Sequence, residues 1–453
     1  MTNRILFTII AATLLFAGAW PRAQQPVVSQ NPQGGISTVI SSDNPSVPPR
    51  LAIPEFIALT KDAETAAIAH TISQVLWDDL NYEHEFTFVP RDTYSSIPRA
   101  TSFETVPFDR WRELNPDGLI IGTVEKTENG IKVQMRLYKV ATKQVVYPRE
   151  YTGSGANPRA YAHLIADEIY KSQRALDGVA ESKLTFSSDR DGLKITGTVQ
   201  NRNVKEIYIS DYDGERQSRV TVGQTLNAFP RWSPDRQSII YTSWRHGPPN
   251  LFISHITQGT LDELTKGPNE NVLGVWSPDG SKICFESNRD GKMQLYVANR
   301  DGSNLHRLIV DRFIDSSPTW APSGNQIAFV SDRSGTPQIY LVSSDGVGTP
   351  TLLTSESYAD KPTWSPAPFN EIAYAARTGP GFDIKVIDVV SRRVTQLTFG
   401  EGTNESPAFS PNGRHIAFSS SRSGKTQVFT MTRDGRDLKQ ITKLGNNQQP
   451  DWR

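Results

Sequence analysis

Cysteine is almost missing: the 453 residues contain one, Cys284. A disulfide within the chain is therefore excluded, as are zinc sites and redox motifs built on paired thiols. Cys284 falls in a predicted strand and reads as a small buried core residue. Histidine is scarce and scattered, at His70, His84, His163, His246, His255, His306 and His415. His84-Glu85 lacks the second histidine of a zinc helix. His163 and Asp167, four apart on a predicted helix, read as a structural hydrogen bond. The chain has no GxSxG elbow and no Gly-rich phosphate loop. A propeller-capped peptidase would need a whole hydrolase domain, and only Arg453 follows Trp452.

Net charge is lacking too. Lys+Arg and Asp+Glu are 48 each, so no global field favours nucleic acid or an acidic membrane. Arg4 precedes the apolar run Ile5 to Ala19, which is short for a membrane span. With small residues at Ala17-Gly18-Ala19 and at Ala23, residues 1–23 read as a secretory signal peptide. No cysteine follows the run to carry a lipid. Residues 24–50, rich in Pro, Gln, Ser and Asn, are expected to be mobile, with Ile36 to Ile40 as the one strand within them.

What the chain does have is a repeat. Trp232, Trp276, Trp320, Trp364, Phe409 and Trp452 are spaced by 44, 44, 44, 45 and 43 residues. Five of them open the same turn, as in WSPDG from Trp276 and FSPNG from Phe409. A period of about 40–45 residues is that of a four-stranded propeller blade. Short alternating strands, Asp-Gly hairpins and a lack of helical stripes agree with this and exclude helical repeats. The strands missing from a sixth blade occur before Trp232, beginning at Leu184. The prediction is a six-bladed β-propeller at 183–453, with one blade stitched from both ends and about 11 extra residues near 191–204.

Residues 51–174 predict a small α/β domain, joined to the propeller by a linker at 175–182. Leu51 to Phe56 reads as a strand, and Asp62 to Leu80 as a helix with Ala66, Ala69, Ile72, Leu76 and Leu80 near one face. Further strands fall at Phe86–Val89, Gly118–Val124, Lys132–Lys139 and Gln144–Tyr151, with a short helix at Phe108–Leu114. Asn157 and Pro158 read as N-cap and first residue of the last helix, whose stripe is Tyr161, Ile165 and Ile169.

A feature repeated in every blade has the same structural task in each, so a partner site must lie where blades differ. Just before each aromatic anchor, where the chain enters the innermost strand, stand Asn227, Asn271, Asp315, Asp360, Asn404 and Asn447, with Glu270, Ser316 and Glu405 nearby. They are candidate contact residues at a channel mouth. The competing reading is that amides and acids cap turns there. No cofactor is expected, and the Asp-Gly turns, as hairpins, need no metal, although calcium is the ion they could suggest.

The LAIPEF strand, DRWRELNPDGLIIGTVE at 109–125, RAYAHLIADEIY at 159–170, SDYDG at 210–214 and the WSPDG turns together resemble the TolB family, the periplasmic propeller proteins of the Tol–Pal envelope system. The resemblance implies a non-enzymatic, monomeric scaffold. It would hold a Pal-like peptidoglycan-associated lipoprotein at one propeller mouth, with the loops before Trp276 and Trp320 matching best. It would engage a TolA-like inner-membrane protein through an N-terminal segment, here Ile36, Thr38 and Ile40. It would act in envelope integrity and cell division, without membrane insertion once the signal is cleaved. The segment departs from the family in sequence and lies well after either cleavage site. The alternative to a scaffold is a periplasmic propeller enzyme of lactonase, lyase or peptidase-related type.

Overall fold

The computed structural model describes residues 26–28, 39–42, 47–195 and 202–453. The signal segment and Ile36 and Thr38 lie outside the described residues. Strand β1 is Val27–Val28, followed by β2 (Arg50–Ala52), β3 (Ile57–Ala58), β4 (Thr87–Phe88), β5 (Gly118–Thr127), β6 (Gly130–Lys139) and β7 (Gln144–Gly153). They form one sheet in the order β1-β7-β6-β5-β2-β4, with β3 also paired to β5. Pro54 has no N–H to donate to a ladder, and the predicted strand Leu51 to Phe56 ends at Ala52, pairing resuming only in β3 beyond Phe56. At Gly130 (φ +137°) a Cβ would meet the Gly153 carbonyl oxygen at 2.1 Å, so the tight β5–β6 turn requires glycine.

Helix α1 (Ala63–Tyr82) starts at Asp62, whose carboxylate accepts from Thr65 N. Its buried face includes Ile68, Ala69, Ile72, Leu76 and Leu80, whereas Ala66 of the predicted stripe is exposed. Helix α2 is Phe108–Glu113 and α3 is Pro158–Arg174. Pro158 does open α3, but the Asn157 side chain makes no capping bond. Tyr161, Ile165 and Ile169 are buried in the core beside Ile72, Val133 and Leu137. His163 does not pair with Asp167. Asp167 instead accepts from Ala180 N and Glu181 N, fastening the linker, while His163 turns to Asp79 of α1.

The propeller has six four-stranded antiparallel sheets. Blades 1 to 5 open on innermost strands Asn227–Trp232, Asn271–Trp276, Asp315–Trp320, Ala359–Trp364 and Asn404–Phe409. Blade 6 joins Asn447–Trp452 to β8 (Lys183–Ser188), β9 (Glu206–Asp211) and β10 (Ser218–Arg219). The seam pairs Trp452 with Leu184 and Asn447 with Ser188. Closing the ring in this way removes two sheet edges that would otherwise be unpaired. Within the insertion of blade 6, Lys194 and Asn203 pair as an isolated antiparallel bridge. The anchors pack between blades. Trp320, for example, lies against Cys284, Val297 and Leu308 of the preceding sheet, and Cys284 is fully buried.

The N-terminal domain rests on the face where the innermost strands end. Asn412, in the turn after Phe409, donates to Glu83, and Trp452 Nε1 donates to the Ser182 hydroxyl at 2.7 Å. Among the described residues, the opposite face, where those strands begin, is free of the N-terminal domain.

Candidate functional site

At the open face the first residue of each innermost strand is Asn227, Asn271, Asp315, Ala359, Asn404 or Asn447, and all six are buried. Alanine takes this position in blade 4, so Asp360 stands one residue later and belongs to a different ring. Four of the buried side chains share one arrangement. The guanidiniums of Arg190, Arg289, Arg333 and Arg422 donate through Nε to Ser188, Ser287, Ser331 and Ser420. Through Nη2 they donate to Asn447, Asn271, Asp315 and Asn404 at 2.8–3.0 Å. The amides then reach to the third strand of the preceding blade, as Asn271 does to Asn250 at 2.8 Å and Asn447 to Gln427 at 2.7 Å. Asn227 likewise bonds to Glu206, on the third strand of blade 6, at 2.8 Å. These groups therefore tie the two inner strands of a blade to the third strand of the blade before it. Burial raises the Asp315 carboxyl, while the Ser331 hydroxyl and the Arg333 guanidinium draw it down.

The ring that does line the channel lies two residues further on. Phe229, Leu273, Ser317, Lys361, Ser406 and Gln449 all have φ between 48 and 58°, at bulges where the inner ladder shifts register. A left-handed residue at a bulge re-aims its side chain. Here the six converge on a throat of about 20 Å³. Beyond the throat the channel widens to about 400 Å³ beneath the tryptophans, with Arg231 and Asp451 in its wall. Sequence reasoning missed the throat ring. Its signal is a variable residue three before each anchor, followed by proline or glycine (Pro230, Gly274, Pro318, Pro362, Pro407, Pro450).

The mouth is uneven. Blades 1 and 2 bring Ala228, Phe229, Val272 and Leu273, while blades 3 to 5 bring Ser316, Ser317, Asp360, Lys361 and Glu405. Lys361 Nζ lies 3.2 Å from Glu405, and Ser317 donates its hydroxyl to Asp360 at 2.9 Å and its N–H to Glu286 at 2.6 Å. Glu286 is 4% exposed. Burial, with some help from Asp360, pushes its carboxyl up to about 8 despite the Ser317 N–H. Around the mouth the connections into the innermost strands expose Val222, Val310, Phe399 and Leu444 by 62–84%. Of the sequence candidates, Glu270 is exposed here, and Ser316, Asp360 and Glu405 are half-buried.

Two other arrangements bear on function. Ser238, His255 and Asp262 form a chain, with Ser238 Oγ 2.9 Å from His255 Nδ1 and His255 Nε2 2.8 Å from Asp262. Ser238 has no exposed surface, so its oxygen meets no substrate and the chain acts as a strand-to-strand fastening. Among the described residues, no group of three or more His, Cys, Asp or Glu is placed to hold a metal, and no helix is long and apolar enough to cross a membrane. At the N-terminus, Ile40 is outside any strand and 1% exposed. Its N–H donates to Gln173 Oε1 of α3 at 2.9 Å. The strand in this region is instead β1, paired to β7.

Comparison with known proteins agrees with this architecture. Residues 193–453 match the family model for the TolB beta propeller domain, and residues 29–146 match the TolB amino-terminal domain. The Tol-Pal system protein TolB of Desulfosudis oleivorans is 31% identical over 210 residues, 46% of this chain and 45% of that protein. That of Cereibacter sphaeroides is 29% identical over 251 residues, 54% of this chain and 52% of its own. The aligned segments thus span about half the length of these curated relatives. The crystal structure of TolB from Acinetobacter baumannii has the same fold, with a TM-score of 0.74 at 24% identity, covering 89% of this chain and 96% of that one. With a six-bladed ring closed through its last strand, a small α/β domain on one face and a family match over more than half its length, the chain belongs to the TolB family.

Proposed function

We propose that this chain is a non-catalytic, monomeric periplasmic scaffold of the Tol–Pal envelope system that holds a Pal-like lipoprotein at the open mouth of the propeller. The observation that carries the reading is the contrast between the two faces. One is occupied by the N-terminal domain. The other is open and rimmed by Val222, Val310, Phe399 and Leu444, all more than half exposed. Exposed apolar surface around a rigid concave ring is what a protein partner covers. Glu270, Ser316, Asp360 and Glu405 supply the polar contacts in this reading, and the buried Asn227, Asn271, Asp315, Asn404 and Asn447 hold the ring that presents them.

The N-terminal segment, from Ile36 through Thr38 to Ile40, is proposed to engage a TolA-like protein. Ile40 must then leave its core site before the partner takes it. Envelope integrity and a role in division follow from the same reading. The test is calorimetric titration of the mature protein with the soluble domain of the Pal-like lipoprotein from the same organism. Saturable 1:1 binding that falls at least tenfold in Phe399→Asp supports the reading. Equal binding by that variant and by a Val310→Asp variant moves the partner off this face.

A further inference from the structure

The face on which the N-terminal domain rests holds an ionisable cluster that partner binding at the open mouth does not use. Helix α1 contributes Asp79, and α3 contributes Arg159 and His163. The propeller contributes Lys183 of β8 and Asp211, Tyr212 and Asp213 at the end of β9. His163 is 3% exposed. Its Nδ1 lies 2.8 Å from Asp79 Oδ2 and its Nε2 3.6 Å from Asp211 Oδ2. The ring nitrogens thus face two carboxylates, one from each domain.

Carboxylates only accept, and a neutral imidazole has one N–H and one lone pair. A neutral His163 would set its lone pair against one of the two anions. Only the imidazolium can donate toward both. The rest of the cluster agrees. Tyr212 OH donates to Asp79 Oδ1 at 2.8 Å, Lys183 Nζ to Asp211 Oδ1 at 2.6 Å, and Arg159 pairs with Asp213. With His163 protonated, three anions (Asp79, Asp211, Asp213) face three cations (Lys183, Arg159, His163). Without that proton the buried site carries an uncompensated negative charge, which burial disfavours strongly. Glu181 of the linker, also within the field of His163, adds to the negative side.

The contacts of Asp211 with the N-terminal domain are loose. Asp211 Oδ2, His163 Nε2 and Arg159 Nε are each buried without a hydrogen bond, and the two nitrogens stand 3.6 and 3.7 Å from that one oxygen. At Asp211 the two domains are therefore joined by charge rather than by complete hydrogen bonds, beside the one full bond from Tyr212 to Asp79.

We infer that His163 is an imidazolium latch between the two domains, and that loss of its proton lets the N-terminal domain turn away from the propeller. Burial lowers the basicity of the ring, and Asp79 and Asp211 outweigh it, lifting His163 to about 9 from an ordinary 6.5. A histidine raised on closure contributes fully below its ordinary pKa and loses that contribution as pH climbs through the raised one. The closed state should thus dominate at neutral pH, and the open-to-closed ratio should rise by roughly a hundredfold or more above pH 9.

Cys284 is buried, so labels can be placed at introduced cysteines, Ala67→Cys on α1 and Val347→Cys on an exposed turn of blade 3. Spin-label distances in the full mature chain should give one narrow distribution at pH 7 that broadens between pH 8 and 10. His163→Gln should be broad already at pH 7 and indifferent to pH. Asp211→Asn should behave likewise and stands in if His163→Gln does not fold. A wild-type distribution unchanged from pH 7 to 10 overturns the latch. So does a His163→Gln protein that stays narrow at pH 7 or keeps the wild-type pH response.

Discussion

Replacing Asn271 and Asp315 by alanine separates the two tasks these residues could have, clamping a blade or touching a partner. Asn271 is 1% exposed and Asp315 fully buried. In Asn271→Ala the guanidinium of Arg289 loses its Oδ1 acceptor at 2.8 Å, and Asn250 loses its amide donor. A hydrogen bond to a charged group contributes about 1.5–3 kcal/mol and a neutral one about 0.5–1.5, so Asn271→Ala should destabilise by about 2–4 kcal/mol. Asp315→Ala removes the bond to Arg333, which keeps Asp311 at 3.0 Å, and its expected loss is about 1.5–3 kcal/mol. The two clamps share no partner, so the losses should add to within about 0.5 kcal/mol. At roughly 2–4 °C per kcal/mol for a domain of this size, the double variant should melt about 10–20 °C lower by differential scanning calorimetry. Glu270→Ala, on the exposed loop one residue earlier, should stay within about 0.5 kcal/mol of wild type. If the double variant melts with the wild type while lipoprotein binding collapses, the clamp reasoning is wrong and these side chains are contact residues.

Three further outcomes are expected. Trp320→Ala empties a site packed by Cys284, Val297 and Leu308 and should destabilise by about 3–5 kcal/mol in urea melts. Deleting 448–453 removes the strand that pairs with β8, and the truncated protein should aggregate on size-exclusion chromatography; a monomer with wild-type melting would contradict ring closure. Glu286→Gln keeps the acceptor for Ser317 N–H but cannot ionise. A carboxyl raised to about 8 weakens the fold progressively as pH rises from its ordinary range to about 8, so the variant should gain a few kcal/mol over wild type above pH 8 and nothing below pH 4. A stability difference that does not change with pH would refute this.

The ring was legible because its signal is repeated. Six anchors at a near-constant interval fix the number of blades, and strands for the last blade displaced to the front of the chain fix the seam. The mouth was legible only as a location. Nothing in the spacing tells that Asn271 is buried between Arg289 and Asn250 of the preceding blade while Leu273 points into the channel, because that depends on a register shift at a bulge. Asp360 shows the same gap. By its place before Trp364 it reads as a member of the Asn227, Asn271 and Asp315 set, yet the fold gives that position to Ala359 and puts Asp360 beside Ser317. His163 failed for a different reason. Its i+4 neighbour Asp167 was visible on the helix, but the stronger partners come from α1 and from the propeller, and helical spacing carries no information about either.

Asp360 and His163 have in common that their partners lie across a boundary, and this bears on where the chain is specialised. Side chains that recur with the blade period answer the same local problem in blade after blade and meet partners that the repeat itself supplies, as Asn271 meets Arg289 of its own blade and Asn250 of the one before. Side chains that break the period have no such partner supplied by the repeat, so they must find one across a boundary. Glu286 finds the N–H of the next blade, Lys361 finds Glu405 of the next blade, and Asp211 finds the N-terminal domain. Each of these is a place where one rigid unit senses its neighbour. The ring itself is therefore the part least able to respond to a partner. A response has to arise at the aperiodic residues of the open mouth and at the ionic seam beneath the N-terminal domain, on opposite faces of the same propeller.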